Sequence, residues 1–137
     1  MALFPSEEWL QALKDKLNND EKYARIARKW EGDIMFHIEP DGPVSETVQL
    51  YIDLWHGECR NAFLVDPANQ SELDPAFVLS APYTNLIRIV TGTLDPMQAM
   101  ITRKLKVKGS MAYMMRNVPV VLDFVRCAQE IDTEYLE

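Results

Sequence analysis

The feature that most constrains the fold is the stretch 34–54, where apolar and polar side chains alternate with the period of two that half-buried strands show. Two runs share this pattern. The first places Ile34, Phe36 and Ile38 on one side, and the second places Val48, Leu50, Ile52 and Leu54 on one side. The sequence PDGP at 40–43 between them is strong turn chemistry. A third strand is expected over 59–65, after a tight turn near Gly57, so the pattern predicts an antiparallel meander.

The segment before this alternation has a helical period instead. Ser6 suits an N-cap, and an amphipathic helix is predicted over 6–18. Its apolar stripe consists of Trp9, Leu10, Leu13 and Leu17. A second helix is predicted from Tyr23 to Trp30, with Gly32 as its C-cap.

The segment after the meander mixes short strands with helices. Strands are predicted at 77–81 and at 104–108, where KLKVK alternates strictly. Helices are predicted from Tyr83 to Val90, from an Asp95 N-cap through Ile101, over 111–115, and from Pro119 onward.

This order of elements predicts an α+β fold: a five-stranded, mostly antiparallel sheet with helices stacked on one face. With 137 residues, the chain is expected to form a single domain. Its expected parts are N-terminal helices over 1–32, strands over 33–81, and helices plus the fifth strand over 82–137.

Composition excludes several classes of function. The net charge of −7 argues against nucleic acid as a partner, because phosphate binding needs a dominant basic surface. The first residues do not read as a secretory signal, and no apolar run is long enough to cross a bilayer. Cys59 and Cys127 are expected to be free, buried thiols of a cytoplasmic protein, although the sequence leaves a disulfide between them open.

Catalytic motifs are missing from the sequence. It contains no nucleophile elbow, phosphate-binding loop or dinucleotide fingerprint. The two histidines are His37 and His56, and only Cys59 stands near one of them as a candidate nucleophile or metal ligand. The simpler interpretation is a turn histidine and a buried thiol, so neither an enzyme nor a metal or cofactor site is expected.

Methionines and basic residues concentrate in 91–116. The methionines are Met97, Met100, Met111, Met114 and Met115. They suit either an ordinary core or an adaptable wall around an apolar ligand. An empty apolar cavity of about 300 Å³ would cost about 7 kcal/mol, so such a wall would need a ligand or methionines that fold inward. The basic residues are Arg103, Lys104, Lys106, Lys108 and Arg116, which suit an anionic headgroup, an anionic membrane surface or protection of an edge strand.

The same stretch closely resembles the signature of the sterol carrier protein-2 family. The matching positions are Gly92, Thr93, Leu94, Asp95, Pro96 and Ala99, followed by Lys104, Leu105, Lys106, Val107, Gly109 and Met111. Arg103 departs from the signature, since the family usually has glycine there. The order of elements upstream also fits the family.

The resemblance implies an apolar tunnel between the sheet and its helices, which takes sterols, fatty acids or fatty acyl-CoA. The implied sheet wall is Ile34, Phe36, Ile38, Leu50, Ile52 and Leu54. The implied helical wall is Leu86, Val90, Met100, Met111, Met115, Val121 and Phe124. The implied headgroup contacts are Arg103, Lys104 and Lys106.

The resemblance therefore implies a non-enzymatic protein that binds or transfers an apolar lipid and touches membrane surfaces transiently. One alternative is an accessory or scaffold subunit of a lipid- or quinone-modifying complex. Another is a cousin of the alkyl-sulfatase C-terminal domain, which binds the alkyl chain. The final residues EYLE do not form a peroxisomal address, which favours a stand-alone prokaryotic protein and fatty acids, quinones or isoprenoids over sterols.

Overall fold

The computed structural model describes residues 1–136, with the side chains of all of these except 69–71. Its strands are β1 (Ala2–Phe4), β2 (Glu31–Glu39), β3 (Val48–Trp55), β4 (Glu58–Leu64), β5 (Phe77–Pro82), β6 (Lys106–Lys108) and β7 (Thr133–Tyr135). Its helices are α1 (Glu7–Asn18), α2 (Glu21–Ile26), α3 (Tyr83–Val90), α4 (Pro96–Ile101), α5 (Met111–Arg116) and α6 (Val118–Gln129).

The main sheet has five strands in the order β4-β3-β2-β5-β6. The meander β2–β3–β4 is antiparallel, as is the pair of β5 with β6, while β5 lies parallel to β2. The helices carry the rest of the core against one face of this sheet. The predicted α+β class, with a five-stranded and mostly antiparallel sheet, is confirmed.

The tight turn between β3 and β4 has both of its central residues at positive φ. His56 has φ 50° and Gly57 has φ 82°. Two-residue hairpins prefer this backbone because its twist matches that of the flanking strands. The turn near Gly57 is therefore where the sequence predicts it, and His56 is one of its two central residues.

Side chains of α1 cover the outer edge of β4. The Glu7 carboxylate accepts a hydrogen bond from the Leu64 N–H at 2.8 Å, and the Gln11 amide donates to the Ala62 carbonyl at 2.8 Å. Asn18 bonds both backbone groups of Cys59, at 2.8 and 2.9 Å. These contacts satisfy an edge that would otherwise be open to pairing with another chain. They also hold α1 against the sheet.

The two ends of the chain form a second, small sheet. β1 runs parallel to β7 with Phe4 opposite Tyr135. The indole N–H of Trp9 donates to the Thr133 hydroxyl at 2.9 Å and joins α1 to this pair. The sequence pattern predicts neither of these two strands. The segment 1–32 contains β1 and the first residues of β2 besides its two helices.

The second helix is shorter than expected. It ends at Ile26, and Gly32 lies inside β2 rather than at a helix C-cap. Trp30 is 2 % exposed, and its indole N–H donates to the Gly32 carbonyl at 2.8 Å. Its ring lies 5.0 Å from the ring of Tyr113 and 5.5 Å from that of Phe77. The apolar period that suggested a longer helix comes from this separate burial of Trp30.

Gly109, between β6 and α5, allows a close backbone approach. A Cβ atom there would lie 2.6 Å from the Ala76 carbonyl oxygen and 2.7 Å from the Phe77 ring. Gly42 also has a positive φ, but a Cβ atom there would meet nothing within 4 Å. The two glycines differ in backbone as well as in space, since Gly42 has φ 55° in the left-handed region whereas Gly109 has φ 130°, which is essentially confined to glycine.

We expect Gly109→Ala to lower the free energy of unfolding by about 1–3 kcal/mol more than Gly42→Ala does, because its φ of 130° disfavours alanine more strongly and its added Cβ atom forces packed atoms apart. Urea denaturation of the two variants and the unsubstituted protein measures this difference. Equal losses would mean that neither the backbone at residue 109 nor its contact with Ala76 and Phe77 resists a side chain.

Candidate functional site

Three strands supply one wall of an apolar cavity. Alternate residues of β2 and β3 face the helices, and the register places Phe36 opposite Leu50 and Ile34 opposite Ile52. The sheet residues that line the cavity are Ile34, Phe36, Ile38, Leu50, Ile52, Leu54 and Leu79. The period of two in the sequence thus builds a continuous apolar surface.

The helices and their connections supply the opposite wall. Their lining residues are Leu86, Ile89, Val90, Pro96, Met100, Leu105, Met114, Val120, Val121, Phe124, Val125 and Ala128. The Asp95 carboxylate caps α4 by accepting from the N–H groups of Met97 and Gln98 at 2.7 and 3.3 Å. This cap fixes the start of α4 and so directs Met100 inward.

The cavity has a volume of about 80 Å³. All twenty-three lining residues have apolar side chains, apart from the indole N–H groups of Trp9 and Trp30. Both of these N–H groups are bonded, to the Thr133 hydroxyl and the Gly32 carbonyl. The interior therefore has no charged side chain with which to bind a polar group.

An aromatic cluster lies at each end of the cavity. At the end where Ile34 pairs with Phe77, the rings of Trp30, Phe77 and Tyr113 lie 5.0–5.9 Å apart. At the end where Ile38 pairs with Ala81, the centroid of the Phe4 ring lies 4.7–6.4 Å from the ring centroids of Trp9, Tyr83 and Tyr135. Four residues of strand separate Ile34 from Ile38, a length of about 13 Å.

Four lining residues are half-buried, namely Phe36, Val90, Val121 and Val125, whereas the other nineteen are buried. We therefore infer that the cavity opens between the end of α3 and α6. The rings of Phe36 and Phe124 stack across the cavity with their centroids 6.1 Å apart. This pair joins the sheet wall to the helical wall beside the inferred opening.

Most of the residues that the resemblance implied surround this cavity. Eleven of the thirteen line it, namely Ile34, Phe36, Ile38, Leu50, Ile52, Leu54, Leu86, Val90, Met100, Val121 and Phe124. Met111 and Met115 do not, since they are 37 % and 47 % exposed on α5. Met114 is 1 % exposed and lines the cavity in their place.

Sequence reasoning missed twelve lining residues. They are Phe4, Trp9, Leu13, Trp30, Leu79, Ile89, Pro96, Leu105, Met114, Val120, Val125 and Ala128. Trp9 and Leu13 belong to the predicted apolar stripe of α1, and that pattern could have identified them as wall residues. Nothing in the sequence points to Phe4 as a wall residue, because its place depends on pairing with the other end of the chain.

The implied headgroup contacts lie outside the cavity. Arg103, Lys104 and Lys106 are exposed, and none of them lines it. Lys106 pairs with Ser80, the neighbour of the inward-facing Leu79, so its side chain projects from the other face of the sheet. Arg103 and Lys104 lie in the connection that follows α4.

The histidine and cysteine chemistry considered from the sequence does not assemble. The His56 Nε2 atom lies 2.6 Å from the Glu31 carboxylate, so its partner is Glu31 rather than Cys59. Burial raises the pKa of Cys59 and of Cys127 to about 11, so neither thiol is an activated nucleophile at neutral pH. Both are free and buried, as the composition predicted.

One cluster of potential metal ligands lies within residues 1–136, formed by Asp20, Asp123 and Cys127. The guanidinium of Arg126 already occupies it, since it donates to Asp123 and to Asp20 at 2.8 Å each. The hydrogen bond from Arg126 lowers the pKa of Asp20 well below its ordinary 3.8. The cluster therefore anchors α6 to α2 through an ion pair.

The sheet, its helices and the enclosed apolar cavity define a class of small α+β domains with a binding chamber between the two layers. The model of the SCP-2 sterol transfer family matches residues 10–121. The chain belongs to this family. No curated protein matches it significantly.

Solved structures agree with this assignment. A crystal structure of sterol carrier protein 2 is 31 % identical, with a TM-score of 0.83 over 92 % of this chain and 97 % of that chain. A conserved hypothetical protein from Thermus thermophilus is 30 % identical, with a TM-score of 0.83 over 94 % and 90 %. Sterol carrier protein-2 from Aedes aegypti, in complex with palmitate, is 18 % identical with a TM-score of 0.52 over 87 % and 96 %, and shows the same fold. Within residues 1–136, no helix is long and apolar enough to cross a membrane.

We expect Arg126→Met to lower the free energy of unfolding at pH 7 by about 3 kcal/mol, because the buried Asp123 then keeps a single ion pair among the described side chains, with Lys22 at 3.7 Å. The exposed Arg88 on α3 is the control, and Arg88→Met should change stability little. Because the pKa of Asp20 is lowered, its ion pair stabilises the fold above pH 3.8, and this stabilisation is lost as the pH falls further. The difference in free energy of unfolding between Arg126→Met and the unsubstituted protein should therefore become smaller in acid. A difference that stays constant with pH would show that Asp20 does not contribute to the stability that Arg126 provides.

Proposed function

We propose that this protein binds one apolar lipid in the cavity and carries it without chemical change. The observation that supports this most is the lining, in which twenty-three residues present no charged side chain. Such a chamber excludes polar molecules, because it cannot replace the hydrogen bonds that they make to water. The similar solved structures, which include sterol carriers and one complex with palmitate, support the same class of ligand.

The energetics favour a chamber that opens around its ligand. An enclosed void of 80 Å³ costs about 2 kcal/mol at about 24 cal/mol per Å³, so one domain can tolerate the empty state. Each methylene that enters contributes about 0.8 kcal/mol. A chain of ten or more buried methylenes therefore gains roughly 8 kcal/mol before the cost of association, enough for useful affinity.

The geometry favours lipids with a single polar end. A polar group has no partner inside, so it must remain at the opening between α3 and α6 while the tail lies in the chamber. Fatty acids and fatty acyl-CoA meet this requirement, as do sterols and isoprenoid alcohols. We propose that the tail contacts the eleven implied wall residues that line the cavity, namely Ile34, Phe36, Ile38, Leu50, Ile52, Leu54, Leu86, Val90, Met100, Val121 and Phe124.

A role without catalysis fits the polar groups of this chain. His56 bonds Glu31, both thiols are protonated at neutral pH, and the buried carboxylate Asp123 is paired with Arg126. The proposed cytoplasmic location suits two free thiols.

We expect Met100→Trp to weaken uptake of a fluorescent fatty acid at least tenfold, because the indole fills part of the chamber. Met115→Trp is the matched control, since residue 115 is 47 % exposed while residue 100 is 5 % exposed. Fluorescence titration measures the affinity, and native mass spectrometry of the freshly purified protein shows any lipid that it retains. Equal affinity in both variants would place the ligand outside the cavity.

We further propose that the carrier loads and unloads at anionic membranes through segment 96–122. This segment has five basic and no acidic residues, while the rest of the chain has nine basic and twenty-one acidic ones. Lys106 and Lys108 alternate with Val107 and project from the other face of the sheet, so Arg103, Lys104 and Arg116 are the basic residues that we propose for the contact. Three lining residues are each followed by an exposed apolar neighbour, namely Ile101, Met115 and Leu122. Exposed apolar side chains next to basic ones are typical of surfaces that bind anionic lipids.

The test is the triple variant Arg103→Glu, Lys104→Glu, Arg116→Glu. We expect it to transfer a fluorescent fatty acid to phosphatidylserine vesicles at least tenfold more slowly at low salt. Each basic residue near such a surface contributes about 1 kcal/mol to membrane binding. Transfer to phosphatidylcholine vesicles should change little. The control reverses three exposed charges on and just after α2, Arg25, Arg28 and Lys29, and alters the net charge equally. Equal slowing by both triple variants would show that only net charge matters.

A further inference from the structure

The end of the cavity next to Phe4 is closed by residues that the family model does not include. That model matches residues 10–121, whereas Phe4 lies in β1 and its partner Tyr135 in β7. Phe4 is 3 % exposed and lines the cavity. This end wall is therefore made by the two termini of this chain, outside the residues that the family model matches.

Phe4 is held firmly in this position. Its ring lies edge-on to Trp9 at 4.7 Å and stacks with Tyr83 at 6.3 Å. The strand that carries it pairs with β7, and the Tyr83 hydroxyl accepts a hydrogen bond from the Leu136 N–H at 3.0 Å. A ring packed on several sides in this way is a fixed wall rather than a side chain that a ligand can easily push aside.

We propose that Phe4 sets the maximum length of the apolar chain that the cavity accepts. The inference rests on the proposed function. The opposite end is closed by the cluster of Trp30, Phe77 and Tyr113, in which Trp30 is 2 % exposed. A chain that enters beside Val121 has room until it reaches one of these two clusters. A longer chain must bend or leave methylenes in water.

Affinity should therefore rise with chain length and then stop rising. Each methylene newly buried tightens binding about fourfold, and a methylene that stays in water adds nothing. The chain length at which the increase stops is the quantity that Phe4 determines. A shorter side chain at residue 4 extends the cavity and moves this limit to longer chains.

The experiment measures dissociation constants for a series of saturated fatty acids, from decanoate to eicosanoate, by displacement of a fluorescent fatty acid from the full chain. In Phe4→Ala we expect affinity to go on rising about fourfold per methylene beyond the length at which the unsubstituted protein levels off. Leu3→Ala is the matched control, because Leu3 is in the same strand but 37 % exposed, and its limit should be unchanged. Phe4→Leu keeps more of the packing and makes the same test if Phe4→Ala does not fold.

The outcomes separate the two proposals. Binding with the same limit in the Phe4 variants and in the unsubstituted protein would overturn the role of Phe4 and leave the carrier function standing. An equal shift in Leu3→Ala would also overturn it, because the effect would then come from the stability of the strand. Failure of the unsubstituted protein to bind any acid of the series would overturn both proposals.

Discussion

The register of the central strand is the constraint on which the rest of the structure depends. Because side chains alternate between faces, a slip of one residue would turn Ile34, Phe36 and Ile38 away from the helices. The Asp33 carboxylate opposes such a slip from the other face, since it accepts from the Tyr51 hydroxyl at 2.6 Å and from the Ala76 N–H at 2.7 Å. One side chain thus ties three neighbouring segments together, namely β2, β3 and the start of β5.

This arrangement separates polar from apolar contacts. The hydrogen bonds that fix the walls lie outside the chamber, in the contacts of α1 with the β4 edge and of Asp33 with Tyr51 and β5. The inner faces carry apolar side chains that can shift without breaking a hydrogen bond. The sheet and α1 can therefore keep their positions while the volume of the cavity changes, as the binding of flexible molecules requires.

The sequence predicts the elements better than it predicts their partners. Alternation was sufficient for β2 and β3, because each is long enough to repeat its pattern, and the tight turn near Gly57 indicated β4 after them. By contrast, β1 and β7 are three residues each and lie at opposite ends of the chain, so no local pattern reveals that they pair. The parallel placement of β5 was also not specified, since the polar connection before it allows either direction.

The same limit explains the errors at the site. Helix α5 has six residues, too few for its period to show which of its methionines faces inward. Met111 and Met115 were chosen, while Met114 is the buried one. The six predicted sheet residues all line the cavity, and their pattern repeats over two neighbouring strands, so one misplaced residue would not have obscured it.

The two halves of α6 are held differently. Its second half is anchored by hydrogen bonds, from Arg126 to Asp20 at 2.8 Å and from Gln129 to the Ile89 carbonyl at 3.1 Å. Its first five residues, 118–122, have apolar side chains only, and Val120 and Val121 pack against the cavity. Moving these five residues breaks no side-chain hydrogen bond. This segment is therefore the part of the helical wall whose displacement costs least, and it lies beside the opening through which we propose that a lipid enters.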